Sequence, residues 1–183
     1  LLNVGTFEAW IKTASPSTNT QVITGKYDTL SRGNAILIED GKLSFKVINQ
    51  SDINHTQLTN QAINDGNWHH VAITVNSSNE YKIYIDGTLD FSETFTGALL
   101  PLTVTDVRYL GKNMSLPIGG TYYNGALKEF SIWDHSRSAQ QIYDDYIKIA
   151  PNINESGLVG YFPLNEGSGQ TLNDLSSPHL DGF

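Results

Sequence analysis

The segment best suited to ligand chemistry is a glycine-flanked turn at residues 119–124. It places two adjacent tyrosines, Tyr122 and Tyr123, beside the amide of Asn124. Aromatic rings stack against the apolar faces of sugar rings, and an amide gives fixed hydrogen bonds to their hydroxyls. Adjacent tyrosines in such a turn cannot both enter a core easily, so we expect at least one to be exposed. The alternative is that the rings pack across the turn.

A second polar segment carries Tyr27, Asp28 and Arg32. It combines an aromatic ring, a carboxylate and a guanidinium, and the loops of a rigid scaffold are where binding residues are concentrated. We therefore treat it as a second candidate for ligand contact, with local packing of the tyrosine as the alternative.

Two histidine motifs do not predict a reactive centre. His69 and His70 lie in a strand-like run, where adjacent residues point to opposite faces, so the two imidazoles cannot bind one metal ion. Asp134 and His135, with Ser136 or Ser138, have the side-chain types of a catalytic triad, but a triad converges from separate segments. Both motifs are better interpreted as structural.

The acidic residues do not predict a hydrolase. Glycoside hydrolysis requires two carboxyl groups that face each other across a cleft. The sequence has no Glu-x-Asp-x-Glu run, and Glu129 and Asp134 lie five residues apart, on opposite faces of a regular strand. We therefore expect no enzyme, although a carboxyl pair drawn from different strands would not be visible in the sequence.

The elements that would position these residues are mainly short strands. Residues 6–12 alternate, with Phe7, Ala9 and Ile11 on one face. Asp40-Gly41 and Asp86-Gly87 predict hairpin turns, because a type I′ turn needs positive φ at both central residues. Further strands are predicted at 22–23, 35–38, 43–48, 68–75, 81–85, from 88 onward, and at 107–110, 127–133 and 158–162, with a polar loop at 25–28.

One short surface helix is predicted to begin after Ser138. Ser138 and Gln141 have the spacing of a capping box, in which each side chain bonds to the backbone of the other residue. The residues that share its apolar face are Ala139, Ile142 and Tyr146. The residues expected to face water are Asp144, Asp145 and Lys148.

Composition limits the class of protein. Apolar residues make up 39% of the 183 residues and charged residues only 16%, which predicts a packed core and one domain over 1–183. The net charge of −8 argues against nucleic-acid binding. The absence of cysteine excludes disulfides and thiolate zinc sites, and no apolar run reaches the ~18 residues of a membrane helix. Because no signal peptide precedes the first strand, we expect a domain cut from a longer protein.

Several segments carry a family resemblance. They are residues 6–12 (TFEAWIK), 66–72 (GNWHHVA), 84–87 (YIDG), 124–133 (NGALKEFSIW), 137–142 (RSAQQI) and 157–169 (GLVGYFPLNEGSG). Together they resemble the laminin G-like, pentraxin-related domains of the concanavalin A-like lectin/glucanase superfamily, in their bacterial form. The resemblance implies an all-β, two-sheet antiparallel jelly-roll sandwich with one short helix. It does not specify a ligand, because the fold hosts many.

The position of the last segment departs from the family pattern. A segment like 157–169 usually stands at the start of a bacterial domain, whereas here it stands near the C-terminus. Either residues 157–183 return to complete a sheet of this domain, or they begin a following repeat. We favour the first, because a lone strand with an unpaired apolar face is prone to association.

The resemblance also implies a structural Ca²⁺ in some members. Asp174 would supply its carboxylate, with backbone carbonyls as further oxygen ligands, and the alternative is that Asp174 caps its own turn. The rim site of laminin-type domains would here involve Tyr27, Asp28, Lys112 and Asn113. The complete set of expected ligand-binding residues is Tyr27, Asp28, Arg32, Asn113, Tyr122, Tyr123 and Asn124.

The sequence thus predicts a non-catalytic, lectin-like carbohydrate-binding module of a larger secreted or surface protein. Its expected partner is a glycan or glycoprotein, at an extracellular or cell-surface location, without nucleic acid and without membrane insertion. A protein-adhesion or spacer module is the alternative, and a glycoside hydrolase is less favoured. The oligomeric state is not predicted.

Overall fold

The chain was analysed as a computed structural model that describes residues 4–14, 20–27, 33–48, 54–95, 109–112, 121–169 and 171–177. These residues form twelve strands and one helix. The elements are β1 (Gly5–Lys12), β2 (Gln21–Tyr27), β3 (Gly33–Glu39), β4 (Lys42–Ile48), β5 (Asn54–Ala62), β6 (Trp68–Val75), β7 (Glu80–Ile85), β8 (Thr88–Thr94), β9 (Tyr109–Leu110), β10 (Thr121–Tyr122), β11 (Ala126–Trp133), α1 (Ala139–Lys148) and β12 (Leu158–Phe162).

The strands form two sheets, each within its own compact unit of the chain. Sheet I has the strand order β12–β11–β1–β6–β7–β8, and α1 belongs to the same unit. Sheet II has the order β10–β2–β3–β4–β5, with β9 also paired to β2. The predicted all-β architecture with one short helix is confirmed.

The alternation predicted for β1 places its two faces in different surroundings. Ala9 and Ile11 are fully buried, and Phe7 packs edge-on against Phe130 of β11 with ring centroids 5.2 Å apart. On the opposite face, Trp10 stacks on Tyr146 of α1 at 5.8 Å. The helix therefore covers the second face of sheet I, and the apolar face that lies away from it contributes to the core.

Both hairpin turns predicted from Asp-Gly pairs are present. Asp40 and Gly41 have φ of 50° and 73°, and Asp86 and Gly87 have φ of 51° and 73°. Positive φ at both central residues matches the right-handed twist of the strands that the turn joins. These turns fix the register between β3 and β4 and join β7 to β8.

The C-terminal segment pairs with its own chain. β12 runs antiparallel to β11, with Phe162 opposite Phe130. Leu158 and Tyr161 are buried together with Trp133. β12 therefore supplies the strand at one end of sheet I. The single domain expected over 1–183 stays a prediction.

Sheet II contains the main differences from the sequence analysis. The polar loop predicted at 25–28 is wrong for residues 25–27, because β2 continues through Tyr27 and pairs with β3 as far as Gly33. The strand β5 was not predicted, because its Asn-, Gln- and Thr-rich sequence lacks apolar alternation. β10 also lies within residues that were predicted only as a turn.

The predicted capping box of α1 is confirmed. The Ser138 hydroxyl accepts a hydrogen bond from the Gln141 backbone, and the Gln141 side chain accepts one from the Ser138 backbone. The expectation that Asp145 faces water is wrong, because Asp145 is only 5% exposed and accepts a hydrogen bond from Arg137. Ala139, placed on the apolar face, is exposed at the helix start. Across the described ranges, no helix has the length and apolar character needed to cross a membrane.

Gly125 lies where the backbone approaches Lys12 closely. A Cβ at Gly125 would lie 2.2 Å from the Lys12 carbonyl oxygen, whereas a Cβ at Gly160 would meet its nearest neighbour at 3.4 Å. We predict that Gly125→Ala destabilises the chain by about 1–3 kcal/mol through overpacking. Gly160→Ala should be neutral or slightly stabilising. Urea unfolding of the two variants measures the difference, and equal stabilities would contradict this account.

Candidate functional site

The outer edge of β2 carries the side chains best placed for ligand contact. Two short strands share this edge: Tyr122 of β10 lies beside Val22, and Tyr109 of β9 lies beside Gly25. The Tyr122 side chain is 65% exposed and the Tyr109 side chain is 38% exposed. Each ring is thus presented on a strand rather than on a free loop.

A β-bulge in β2 shifts the register between β2 and β3 next to this edge. Val22 pairs with Leu37 of β3 and Gly25 pairs with Ala35, so three steps along β2 match only two along β3. One extra residue in one strand of a pair is the signature of a β-bulge. Leu37 and Ala35 are two residues apart on β3 and therefore share a face. Their partners Val22 and Gly25 share a face as well, although they are three residues apart on β2.

The same register places the two exposed tyrosines together. Tyr122 and Tyr109 are thus paired with two residues at the same edge of β2. Their separation along β2 is roughly 10 Å, at about 3.3 Å per residue. Two exposed rings therefore lie along one strand edge. We call Tyr109, Lys112 and Tyr122 the edge site.

Tyr123 anchors the segment that presents Tyr122. Its hydroxyl donates to the Lys12 carbonyl at 2.9 Å and accepts from the Lys12 backbone N–H at 3.2 Å. Burial raises the pKa of Tyr123 to about 12, although its bond to the Lys12 backbone opposes the shift. Tyr123 therefore has a positioning role in the structure, in addition to the ligand contact expected from the sequence.

Asn124 is held through its backbone. Its N–H donates to the Gln21 side chain at 2.8 Å, and its carbonyl accepts from the Thr13 hydroxyl at 2.8 Å. The residue itself is exposed. Its side-chain amide thus stands at the surface on a fixed backbone, next to Tyr122 and Tyr123 in sequence.

Lys112 adds a positive charge to the edge site. Its ammonium lies 4.8 Å from the centroid of the Tyr109 ring, within the range of a cation–π contact. Sequence reasoning placed Lys112 in a rim loop but missed Tyr109, which it assigned only to a strand. The sequence did not indicate that β9 has only two residues and pairs at the edge of β2.

Three of the expected ligand-binding residues, Asp28, Arg32 and Asn113, lie outside the described residues. Tyr27 ends β2 and pairs with Gly33 through its backbone. For these four residues, the ligand role stays a prediction.

The two adjacent histidines have separate partners. His69 Nδ1 lies 2.9 Å from Asp86 Oδ2, whereas His70 Nε2 lies 3.3 Å from Glu8 Oε2. This separation is the one expected for neighbouring residues on a strand. Within the described ranges, no group of three His, Asp or Glu side chains is arranged to hold a metal ion.

A buried ion-pair network lies on the helix-covered face of sheet I. The Arg137 guanidinium donates to Glu8, to Asp145 and, at 3.0 Å, to Glu155, and it lies 3.9 Å above the Trp133 ring. Burial raises the pKa of Asp145, although its hydrogen bond from Arg137 opposes the shift. One guanidinium thus serves three carboxylates.

A small cavity adjoins this network. It offers about 10 Å³ to the centres of water molecules, room for roughly one. His70 Nδ1 and Trp10 Nε1 have no partner among the described residues, so a water molecule there would satisfy them. The lining residues are Glu8, Trp10, His70, Glu129, Ser131, Asp145, Ile149, Ala150 and Pro151. Three carboxylates converge here, but a sugar ring does not fit.

The side chains of Asp134 and His135 form a local pair. His135 Nδ1 lies 3.0 Å from Asp134 Oδ1, and the His135 carbonyl accepts a hydrogen bond from Thr6. The Ser138 hydroxyl bonds to Gln141 in the helix cap. These contacts do not form the nucleophile–base–acid chain of a triad.

Asp174 is buried and bonded to backbone. Its Oδ1 accepts from the N–H groups of Tyr161 and Ser176, both at 2.8 Å. Two donors use the lone pairs of that oxygen, so a cation at Oδ1 would have to displace them. The hydrogen bonds account for the position of Asp174 at its turn, and the calcium site stays a prediction.

Comparison with known proteins identifies the family. A laminin G-like family model, described as the Concanavalin A-like lectin/glucanases superfamily, matches residues 3–143. The chain belongs to this family. Over 88 residues it is 31% identical to the sushi, von Willebrand factor type A, EGF and pentraxin domain-containing protein 1 of Rattus norvegicus. That match covers 44% of the chain and 2% of the rat protein.

Solved structures share the fold at low identity. A candidate carbohydrate-binding protein from Bacteroides ovatus aligns with a TM-score of 0.72 and 18% identity, covering 94% of this chain and 49% of that one. The ligand-binding domain of botulinum neurotoxin serotype D, in complex with N-acetylneuraminic acid, aligns with a TM-score of 0.60 and 16% identity, covering 81% of this chain and 37% of that one. The predicted fold class, a two-sheet antiparallel sandwich of the concanavalin A-like kind, is confirmed.

The raised pKa of Tyr123 leads to a prediction for the free energy of unfolding at alkaline pH. Because the folded pKa lies above the ordinary value of 10.0, the unfolded chain ionises first, and stability falls as the pH rises from about 10 to about 12. The slope from Tyr123 is below ~1.4 kcal/mol per pH unit, since the side chain is partly exposed. Tyr123→Phe should be less stable at pH 8 but lose less stability above pH ~10. Urea unfolding at several pH values tests this, and parallel losses would contradict it.

The hydrogen bonds of the buried Asp174 carboxylate lead to a second prediction, which concerns stability with and without calcium. Asp174→Ala should lower the free energy of unfolding by about 2–4 kcal/mol, because two backbone N–H groups lose a charged acceptor. We expect this loss to be equal in calcium and in chelator. Thermal unfolding of both proteins in each condition is the measurement. A calcium-dependent melting temperature in the unchanged chain, absent from Asp174→Asn, would instead support the calcium site.

Proposed function

We propose that this chain is a non-catalytic carbohydrate-binding module. The observation that carries the proposal is the edge site, where two exposed tyrosine rings lie along one edge of β2 on a hydrogen-bonded backbone. Exposed rings on a rigid strand suit the apolar faces of sugars, because little conformational entropy is lost when they bind. The exposed amide of Asn124 offers a polar group to sugar hydroxyls.

The hydrogen-bond partners of the buried carboxylates support a non-catalytic function. Glu8 and Asp145 are committed to Arg137, and Glu129 accepts a hydrogen bond from Tyr161. A general acid must be able to reach the glycosidic oxygen, with a second carboxylate across the substrate. The cavity that these groups line has room for one water rather than for a sugar.

The setting that we propose is extracellular or at a cell surface, as part of a larger protein. The support is the family membership together with the short coverage of its relatives: the chain spans about half of the Bacteroides protein and a small fraction of the rat protein. A glycan or glycoprotein would be the partner.

A protein-adhesion module is the second candidate. Its support is a group of exposed apolar side chains on and after α1, each about half exposed: Tyr143, Ile147, Ile149 and Ile153. Exposed apolar groups in one stretch are typical of protein contact surfaces. A chain that binds no glycan but binds a surface protein would favour this function.

The glycan proposal predicts a mutational pattern at the edge site. Tyr122→Ala and Tyr109→Ala should each weaken binding on a glycan array by about two- to tenfold, the worth of one aromatic contact. Tyr143→Ala is the matched control, since Tyr143 is exposed on α1 and should leave binding unchanged. The array also decides the proposal itself: no binding to any glycan would refute it.

A further inference from the structure

Lys112 gives the edge site a positive charge in a protein whose net charge is negative. The chain carries a net charge of −8, yet residues 109–125 contain Lys112 and no Asp or Glu. The positive charge therefore stands on a segment free of carboxylates. Exposed charges that lie beyond the Debye length of about 8 Å at physiological salt act weakly on it.

The ammonium of Lys112 is not neutralised by an ion pair within the described part of the chain. The ammonium instead contacts the Tyr109 ring. Lys46, Lys82 and Lys148 each lie within ion-pair distance of a carboxylate, whereas Lys128, like Lys112, lies over aromatic rings. A cation–π contact orients an ammonium but leaves its charge available to an anion.

An exposed cation next to an exposed ring matches a definite ligand chemistry. A sugar ring that carries a carboxylate or a sulfate presents an apolar face and an anionic group on one small unit. The ring face would stack on Tyr109 or Tyr122, and the anion would accept a charge-assisted hydrogen bond from Lys112. A neutral sugar would use the tyrosines and leave the ammonium in water.

Resting on the proposed function, we propose that the edge site prefers glycans with an acidic group, and that Lys112 binds the anion. The stacking supplies affinity for sugars in general, whereas Lys112 supplies the discrimination between acidic and neutral sugars. The net negative charge of the protein does not oppose this preference, because the charges that lie within the screening length decide it.

The experiment measures binding of lactose, sialyllactose and sulfated lactose to the full chain by titration calorimetry at physiological salt. We expect the two acidic sugars to bind about three- to fivefold more tightly than lactose, the effect of one exposed charge contact. In Lys112→Gln this preference should disappear, so that the two acidic sugars bind no more tightly than lactose binds to the same variant, and Lys112→Arg should keep it. Lys148→Gln, which removes the same charge from α1, is the control and should behave as the unchanged chain.

The outcomes separate this inference from the proposed function. Equal binding of acidic and neutral sugars by the unchanged chain would overturn the role of Lys112 and leave the carbohydrate-binding function standing. A preference that survives Lys112→Gln would overturn it as well. A preference for only one of the two acidic sugars, lost in Lys112→Gln, would support the inference and identify the anion. Binding of none of the sugars at the edge site, or on an array, would refute both.

Discussion

The arrangement of the edge site depends on the hydrogen bonds between the Tyr123 hydroxyl and the two backbone groups of Lys12. Lys12 is the last residue of β1, where backbone groups must find partners outside a regular ladder. A phenol can donate and accept at once, so one side chain satisfies both. The approach is close enough that Gly125 cannot accommodate a Cβ. With Tyr123 turned inward, its neighbour Tyr122 in β10 is left exposed.

The buried network around Arg137 shows a different use of charge. Removing Glu8 and Asp145 from water is costly, and the guanidinium offsets that cost only by bonding to both carboxylates while it stacks on Trp133. Such a network ties β1 and α1 to the segment that leads from β11 into the helix. Its charges are paired with one another, whereas the ammonium of Lys112 has no carboxylate partner among the described residues. This difference is why we propose a structural role for the Arg137 network and a role in recognition for Lys112.

The fold could be predicted from the sequence because local signals agreed with one another. Alternation in β1, the Asp-Gly turns and the capping box at Ser138 each depend on neighbours in sequence. The strand β5 was not predicted because its polar residues show no hydrophobic periodicity. Asp145 was wrongly expected to face water because its burial depends on a tertiary contact with Arg137. At the site, an exposed tyrosine near 122 could be expected from its neighbours. Tyr109 could not, because its place near Tyr122 depends on the tertiary pairing of two short strands with the same edge of β2.

The size of the edge site limits how tightly it can bind. Each tyrosine contact is worth about 0.5–1.5 kcal/mol, and association itself costs at least about 4 kcal/mol in lost freedom. Two rings and one exposed cation on a strand edge therefore give weak binding for a single sugar. Weak sites become effective when several act together, because a second contact within one assembly is intramolecular. A shallow site of this kind is consequently suited to a module that works beside others, on a surface where many copies of the same glycan are displayed.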